Sequence, residues 1–380
     1  MRLPVFEIFK KNVKDRTRGS RSVSVKLHSP DRWLLGALIL ICLFGVFMVY
    51  DSSVAIAIRD FSDRYHFARE QLQWLGLAFV GFAIASLVDY RLWYKLALPF
   101  LLGSLVLLIA VFIPGLGVRA LGAHRWISVG GLVFQPSELT KLTMIIYLSA
   151  WFSTREKGRI GAFLLLLGMV VGLVVLEPDL GTATIILATA VLLYFYSGAP
   201  LMQFILLVPM LAIGVIGLAL ISPYRFQRLM TFFNPQSDPL GSSYHIRQAL
   251  LALGSGGLWG LGIGKSRQKY EYLPEANTDS IFAIIGEEFG FLGAVLVVLL
   301  FVFIIWRCFR IARRAPDTFG RLMGAGIATW IGIQAVINFS AMTALLPLTG
   351  VPLPFISYGG SSLVITLIAM GIVVNISKHR

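Results

Sequence analysis

Apolar stretches recur along this 380-residue chain, each closed by a short polar or charged segment. Their length, roughly 17 to 25 residues, is what an α-helix needs to cross the hydrocarbon core of a bilayer. Charged residues make up only 14% of the chain and hydrophobic ones 57%, where a soluble domain carries roughly 25% charged residues. Inside a bilayer no water can satisfy a bare backbone amide, so the spanning solutions are helices and closed barrels. Barrel strands alternate polar and apolar residues, and these runs are continuous. The sequence therefore predicts an all-α polytopic integral membrane protein.

Ten runs qualify as transmembrane helices: 33–50, 72–88, 96–113, 137–152, 162–176, 180–197, 201–221, 281–305, 322–346 and 361–376. Residues 51–71 and the Gly-rich stretch 114–136 read as loops. Residues 1–32 form a basic arm with nine Lys or Arg and no long apolar run. The run that follows the arm is long for a signal-peptide core and lacks a small-residue cleavage site. Residues 33–380 read as one membrane domain. Lys and Arg gather at the ends of the runs, so the net charge of +14 is a topology signal rather than a nucleic-acid footprint. With the N-terminus inside, that side holds 21 Lys or Arg against 11 outside. Both termini are then cytoplasmic, and the long segment 222–280 is an extracytoplasmic loop between helices 7 and 8. Cys42 and Cys308 lie far apart in or beside spans and read as small apolar fillers.

Ionisable side chains at membrane depth are costly and mark candidate sites. Glu138 and Lys141 stand three residues apart on one helical face. They fit an internal ion pair and also a charged wall of a water-filled cavity. Asp179 suits an N-cap of the run it precedes, and Glu287 with Glu288 suits interior hydrogen bonding. Asp279 lies at the border of the eighth run, below a loop rich in cations. It fits an N-cap first, and it also fits a general base, which must be reachable from water yet partly desolvated. Arg225, Arg228, Arg247, Lys265, Arg267 and Lys269 could meet a soluble anion or a lipid phosphate, or be solvated. The glycines of 254–264 follow no strand, which excludes a dinucleotide or Walker loop. No zinc-ligand spacing is present.

Four blocks in order carry a resemblance: GAHRWISVGGLVFQPSELTKL at 122–142, EPDLGTA at 177–183, the stretch 232–293 containing SRQKYEYLPEANTDSIFAIIGEE, and LPLTGVPLPFISYGGSSL at 346–363. The chain resembles the SEDS family (shape, elongation, division and sporulation) from Trp33 to its C-terminus, and looks most like the FtsW and SpoVE branch, with RodA the near alternative. Asn277 stands where the family often has His, and Ser280 where it commonly has Phe. The resemblance implies a peptidoglycan glycosyltransferase in the bacterial cytoplasmic membrane that polymerises lipid II and releases undecaprenyl diphosphate. It implies Asp279 as general base and Glu138 with Lys141 as a cavity pair, and it puts His245 and Ser357 in the same pocket. Cations of the long loop or a divalent Mg or Mn ion would balance the leaving pyrophosphate. Implied partners are a class B penicillin-binding protein and other divisome or elongasome membrane proteins.

A lipid II flippase is the competing reading, with Glu138 and Lys141 carrying the head group across. A flippase expects polar residues through the bilayer depth, whereas here they concentrate toward one face. A scaffold that only recruits wall enzymes would not need the cluster around Asp279.

Overall fold

The computed structural model describes residues 28–120, 123–130, 132–154, 160–221, 223–233 and 243–379; most of the basic arm lies outside them. A helix stands at each of the ten apolar runs: α1 Arg32–Phe61, α2 His66–Leu87, α3 Arg91–Ala110, α4 Pro136–Phe152, α5 Ile160–Leu176, α6 Leu180–Tyr196, α7 Leu201–Ile221, then α10 Ile281–Arg313, α11 Thr318–Met342 and α12 Gly360–Lys378. Among the described residues six helices are long and apolar enough to cross a membrane, namely α1, α2, α3, α10, α11 and α12. The molecule is a polytopic helical membrane protein.

Three features depart from the sequence expectation. The stretch 114–136 is not merely a loop. It carries a small antiparallel sheet in the order β1 (Gly117–Ala120), β2 (Ala123–Val129), β3 (Leu132–Phe134), so the protein is not wholly α. The segment 222–280 contains two short helices, α8 Pro223–Phe233 and α9 Tyr244–Ser255. Finally, α1 runs eleven residues past Tyr50 to Phe61, through the polar run Asp51-Ser52-Ser53. That run is buried, and a partner remote in sequence holds it: Lys269 Nζ lies 2.9 Å from both Asp51 oxygens and 2.8 Å from Glu288 Oε1.

The glycine-rich stretch earns its composition at a break in α10. Gly290 has φ +69°, a left-handed conformation inside an otherwise helical run. A broken helix in an apolar bundle exposes amides and carbonyls that lipid cannot satisfy. Segment 257–262 catches them: Leu261 and Gly262 donate to the Glu287 and Glu288 carbonyls at 3.0 Å, and Phe291 donates to the Gly257 carbonyl at 2.8 Å. Two backbones this close leave no room for a side chain. A Cβ on Gly260 would sit 2.1 Å from the Glu288 carbonyl oxygen, and one on Gly256 2.0 Å from that of Gly286. The next residues bind the carboxylates themselves: Gly264 and Ser266 amides donate to Glu288, and Arg267 amide to Glu287, all at 3.0 Å. Interior hydrogen bonding is thus the observed role of both glutamates.

Ties at the two ends of the bundle sort the loops. At one end Arg307 pairs with Asp31, Tyr90 Oη donates to Asp317 at 2.6 Å, and Asn375 bridges the Tyr90 amide and the Ser86 carbonyl, each at 2.9 Å. Segments around 31, 90, 307–317 and 375 therefore meet there, and the other end gathers β2, the 177–179 turn, the 350–358 loop and the start of α10.

Gly260→Ala forces both a left-handed backbone and a clash, and is expected to lower stability by about 1–3 kcal/mol or more. Lys269→Met strands two buried carboxylates and is expected to cost about 3–5 kcal/mol. Thermal unfolding midpoints of the detergent-solubilised protein check both.

Candidate active site

Asp279 does not cap α10. The N-cap position is Ser280, and no side chain caps the first turn. The capping reading of the sequence thus falls away, and the Asp279 carboxyl is left to face its surroundings. Its backbone, by contrast, is pinned. Asn338 Nδ2 on α11 donates to the Asp279 carbonyl at 2.8 Å and to the Val351 carbonyl at 2.8 Å. Ser357 Oγ donates to the Thr278 carbonyl at 2.6 Å while accepting from the Leu353 amide at 2.8 Å. Tyr358 amide donates to the Asn277 carbonyl at 2.9 Å. Residues 277–279 are therefore laced to the 351–358 loop.

Gly350 backs the carboxyl. Its φ of +71° favours glycine, and the place a Cβ would occupy lies 3.3 Å from Asp279 Oδ2 and 3.9 Å from an Arg228 guanidinium nitrogen. Asp279 and Arg228 thus converge on one spot, with Arg228 also donating to the Leu348 carbonyl at 3.1 Å. Burial pushes the Asp279 pKa up to about 7, the nearby Glu275 carboxylate adds to the rise, and Arg228 opposes it. A carboxyl in that range is a proton acceptor matched to neutral pH.

A cavity of about 170 Å³ opens on the Arg228 side, lined by Gln227, Arg228, Thr231, Phe232, His245, Ile246 and Leu348. His245 Nε2 lies 2.6 Å from Ser280 Oγ, whose own hydrogen goes to the Pro274 carbonyl at 2.9 Å. His245 must therefore donate through Nε2. Burial, and then the Arg228 charge, pushes its pKa down to about 4, so it is neutral at pH 7. A Phe at position 280 could make neither bond, so this departure from the family pattern adds a tie between the cavity wall and the residue next to Asp279.

Asp179 is the N-cap of α6, accepting from the Thr182 amide at 2.9 Å, as the sequence indicated. Gln135 Nε2 holds its other oxygen at 3.0 Å. Arg125, on β2, donates to the Glu177 carbonyl at 3.0 Å and to the Pro178 carbonyl at 2.5 Å. The Asp179 and Arg125 charges both reach Asp279. Glu177 is fully buried with neither carboxyl oxygen partnered, and burial, then Asp179, pushes its pKa up to about 8.

Other sequence candidates lie elsewhere. Lys269 is buried and held by Asp51 and Glu288, so its charge locks the loop to α1 and α10 instead of facing a ligand. Ser357 is buried and engaged with backbone. Glu138 and Lys141 form an internal ion pair at 2.7 Å, each only 3% exposed. The space beside Lys141 is about 10 Å³ and is lined mostly by apolar side chains; it can hold no more than about one water, which is not the expected water-filled cavity. Arg247, Lys265 and Arg267 are exposed, and the Arg225 side chain lies outside the described residues. Asn338, Gly350 and Arg125 went unremarked in the sequence. The signal for Asn338 was available: an amide in an apolar run is as conspicuous as the Glu138 carboxyl. Among the described residues no set of three or more His, Cys, Asp or Glu converges as metal ligands.

Comparison with known proteins gives the family. The chain is 40% identical to stage V sporulation protein E of Bacillus subtilis, over 94% of this chain and 99% of that one. It is 40% identical to the probable peptidoglycan glycosyltransferase FtsW of Geobacter sp., over 91% and 96%. A solved peptidoglycan synthase complex, described as coordinating polymerization and crosslinking, contains a chain that superposes with a TM-score of 0.75 at 29% identity, covering 92% of this chain and 97% of that one. The rod shape determining protein RodA of Thermus thermophilus superposes at 0.69 with 29% identity, covering 92% and 97%. The family model described as cell cycle protein, spanning FtsW, RodA and SpoVE, matches residues 32–380. This chain belongs to that family.

Proposed function

We propose that this chain is a peptidoglycan glycosyltransferase that polymerises lipid II for septal or sporulation wall synthesis, with Asp279 as general base. The observation that carries the reading is a carboxyl with its pKa raised to about 7, its backbone pinned by α11 and the 351–358 loop, beside Arg228 and an open cavity. In the reaction the Asp279 carboxylate takes the proton of the acceptor sugar's 4-hydroxyl. That oxygen forms a bond to C1 of the donor sugar, the bond from C1 to the pyrophosphate oxygen breaks, and undecaprenyl diphosphate leaves. Arg228 stands where positive charge would stabilise the developing anion. The SpoVE and FtsW relatives, 40% identical over more than nine-tenths of the chain, favour the division and sporulation branch. A flippase would need its charged pair open to a passing head group, and Glu138 and Lys141 are buried against each other.

The reading places ten spans in the bacterial cytoplasmic membrane, both termini in the cytoplasm and segment 222–280 outside, because the basic segments gather at the end opposite Asp279. A class B penicillin-binding protein would supply the crosslinking activity.

Asp279→Asn is expected to reduce lipid II polymerisation by roughly 10²–10⁴-fold, read as glycan product from labelled lipid II; wild-type rates in this variant would sink the assignment. A base works only when ionised, so the wild-type rate should climb as pH rises through about 7 and level off above it. Arg228→Gln removes a charge that holds the Asp279 pKa down, and the inflection of that pH–rate profile should move to higher pH. For topology, Cys42 and Cys308 are buried, so single cysteines can be added. A membrane-impermeant maleimide should label Glu271→Cys in intact cells and Arg314→Cys only after permeabilisation.

A further inference from the structure

The buried Glu138–Lys141 pair touches nothing in the cavity at Arg228 and His245, yet hydrogen bonds joined through the 351–352 backbone link it to Asp279. Lys141 Nζ donates to Gln334 Oε1 at 3.0 Å, and Trp330 Nε1 donates to the same oxygen at 2.9 Å. The other end of that amide, Gln334 Nε2, donates to the Pro352 carbonyl at 3.0 Å. One turn further along α11, Asn338 Nδ2 donates to the Val351 carbonyl and to the Asp279 carbonyl, both at 2.8 Å. Gln334 and Asn338 are each 1% exposed. They stand at positions i and i+4 of one helix and so share a face. The two amides read adjacent carbonyls of one strand of backbone, the one that begins at Gly350 behind the Asp279 carboxyl.

We infer that Gln334 and Asn338 are positioning residues that transmit the anchoring of the Glu138–Lys141 pair to Asp279 through the 350–352 backbone. The mechanics are those of a preorganised site. A buried ion pair on α4 fixes where Lys141 Nζ sits, and that fixes the Gln334 amide. The amide sets the height of Pro352, and Asn338 ties Val351 and Asp279 to the same face. Each donor nitrogen in the chain has an acceptor, while Glu138 Oε2 and Asn338 Oδ1 have none, and in a buried network loss of one member leaves further groups unsatisfied. Glu138 and Lys141 then matter to turnover without touching substrate. This inference rests on Asp279 being the base.

Gln334→Glu separates a relay from simple neutralisation of Lys141. The new carboxylate still accepts from Lys141 and Trp330, but it adds a second negative charge beside the Glu138–Lys141 pair and, when ionised, cannot donate to Pro352. Asn338→Leu removes both bonds of the second amide at similar volume. In full-length protein in lipid vesicles, with thermal midpoint and monodispersity measured beside lipid II polymerisation, both variants are expected to stay folded. Turnover should fall by roughly 10- to 100-fold with KM little changed, the size of effect that follows from displacing a reacting group by about 1 Å. Lys141→Met combined with Asn338→Leu should be no slower than the worse single variant, because both cut one chain. Full turnover in Gln334→Glu or in Asn338→Leu, or fold-losses that multiply in the double variant, would overturn the inference. Asp279→Asn run in parallel isolates the other failure: an active Asp279→Asn removes the base itself, whereas an inactive one beside a fully active Asn338→Leu removes only the relay.

Discussion

A helix cannot break inside an apolar bundle unless another piece of protein takes up the backbone groups it releases. In this chain α10 breaks at Gly290, and the 257–262 segment supplies the missing partners. Most of the architecture at this end of the bundle follows from that exchange. Close approach demands glycine on both sides, the following residues are then near enough to give their amides to Glu287 and Glu288, and Lys269 is drawn in between Glu288 and Asp51. The segment that looked like a free polar loop is a plug seated in the bundle. Its seating leaves the upper part of α10, with Asp279 just ahead of it, in one defined place.

Around Asp279 four remote segments meet: β2 with the 177–179 turn, helices α8 and α9, the 350–358 loop, and α11. They divide by role. The turn, loop and α11 engage backbone, through Arg125, Ser357 and Asn338. The α8 and α9 side chains line the open cavity and bring Arg228 and His245. One set holds the carboxyl still, and the other supplies the chemistry that a negatively charged, sugar-bearing substrate would meet. The neutrality of His245 fits that division, since its Nε2 hydrogen serves Ser280 and its charge would compete with Arg228.

Helix positions were legible because runs of membrane length leave a helix few alternatives, and the end of α6 was legible because capping is local: Asp179 bonds three residues ahead. Asp279 was visible as a carboxyl at an apolar border, but the choice between cap and base was not, since it depends on Arg228, Glu275 and Gly350, none of them fixed by local rules. The extension of α1 was hidden for the same reason. Asp51-Ser52-Ser53 reads as a loop until Lys269, 218 residues away, neutralises it. The sheet at 117–134 was masked by its glycines. Lys269 illustrates the converse error. A cation in a polar segment reads as ligand-binding, and only the fold reveals two carboxylates already waiting for it.

The lacing of residues 277–279 to positions 338 and 351–358 has a consequence for biosynthesis. The α11 and 351–358 groups that lace residues 277–279 all lie C-terminal to Asp279, so a ribosome delivers the carboxyl before them. Chains emerge N-terminus first, and until α11 and the loop after it are in place Asp279 is held from the N-terminal side alone, through the 257–262 seat of α10 and the His245–Ser280 contact. The full set of ties around residues 277–279 is therefore complete only once α11 and the loop that follows it have been made.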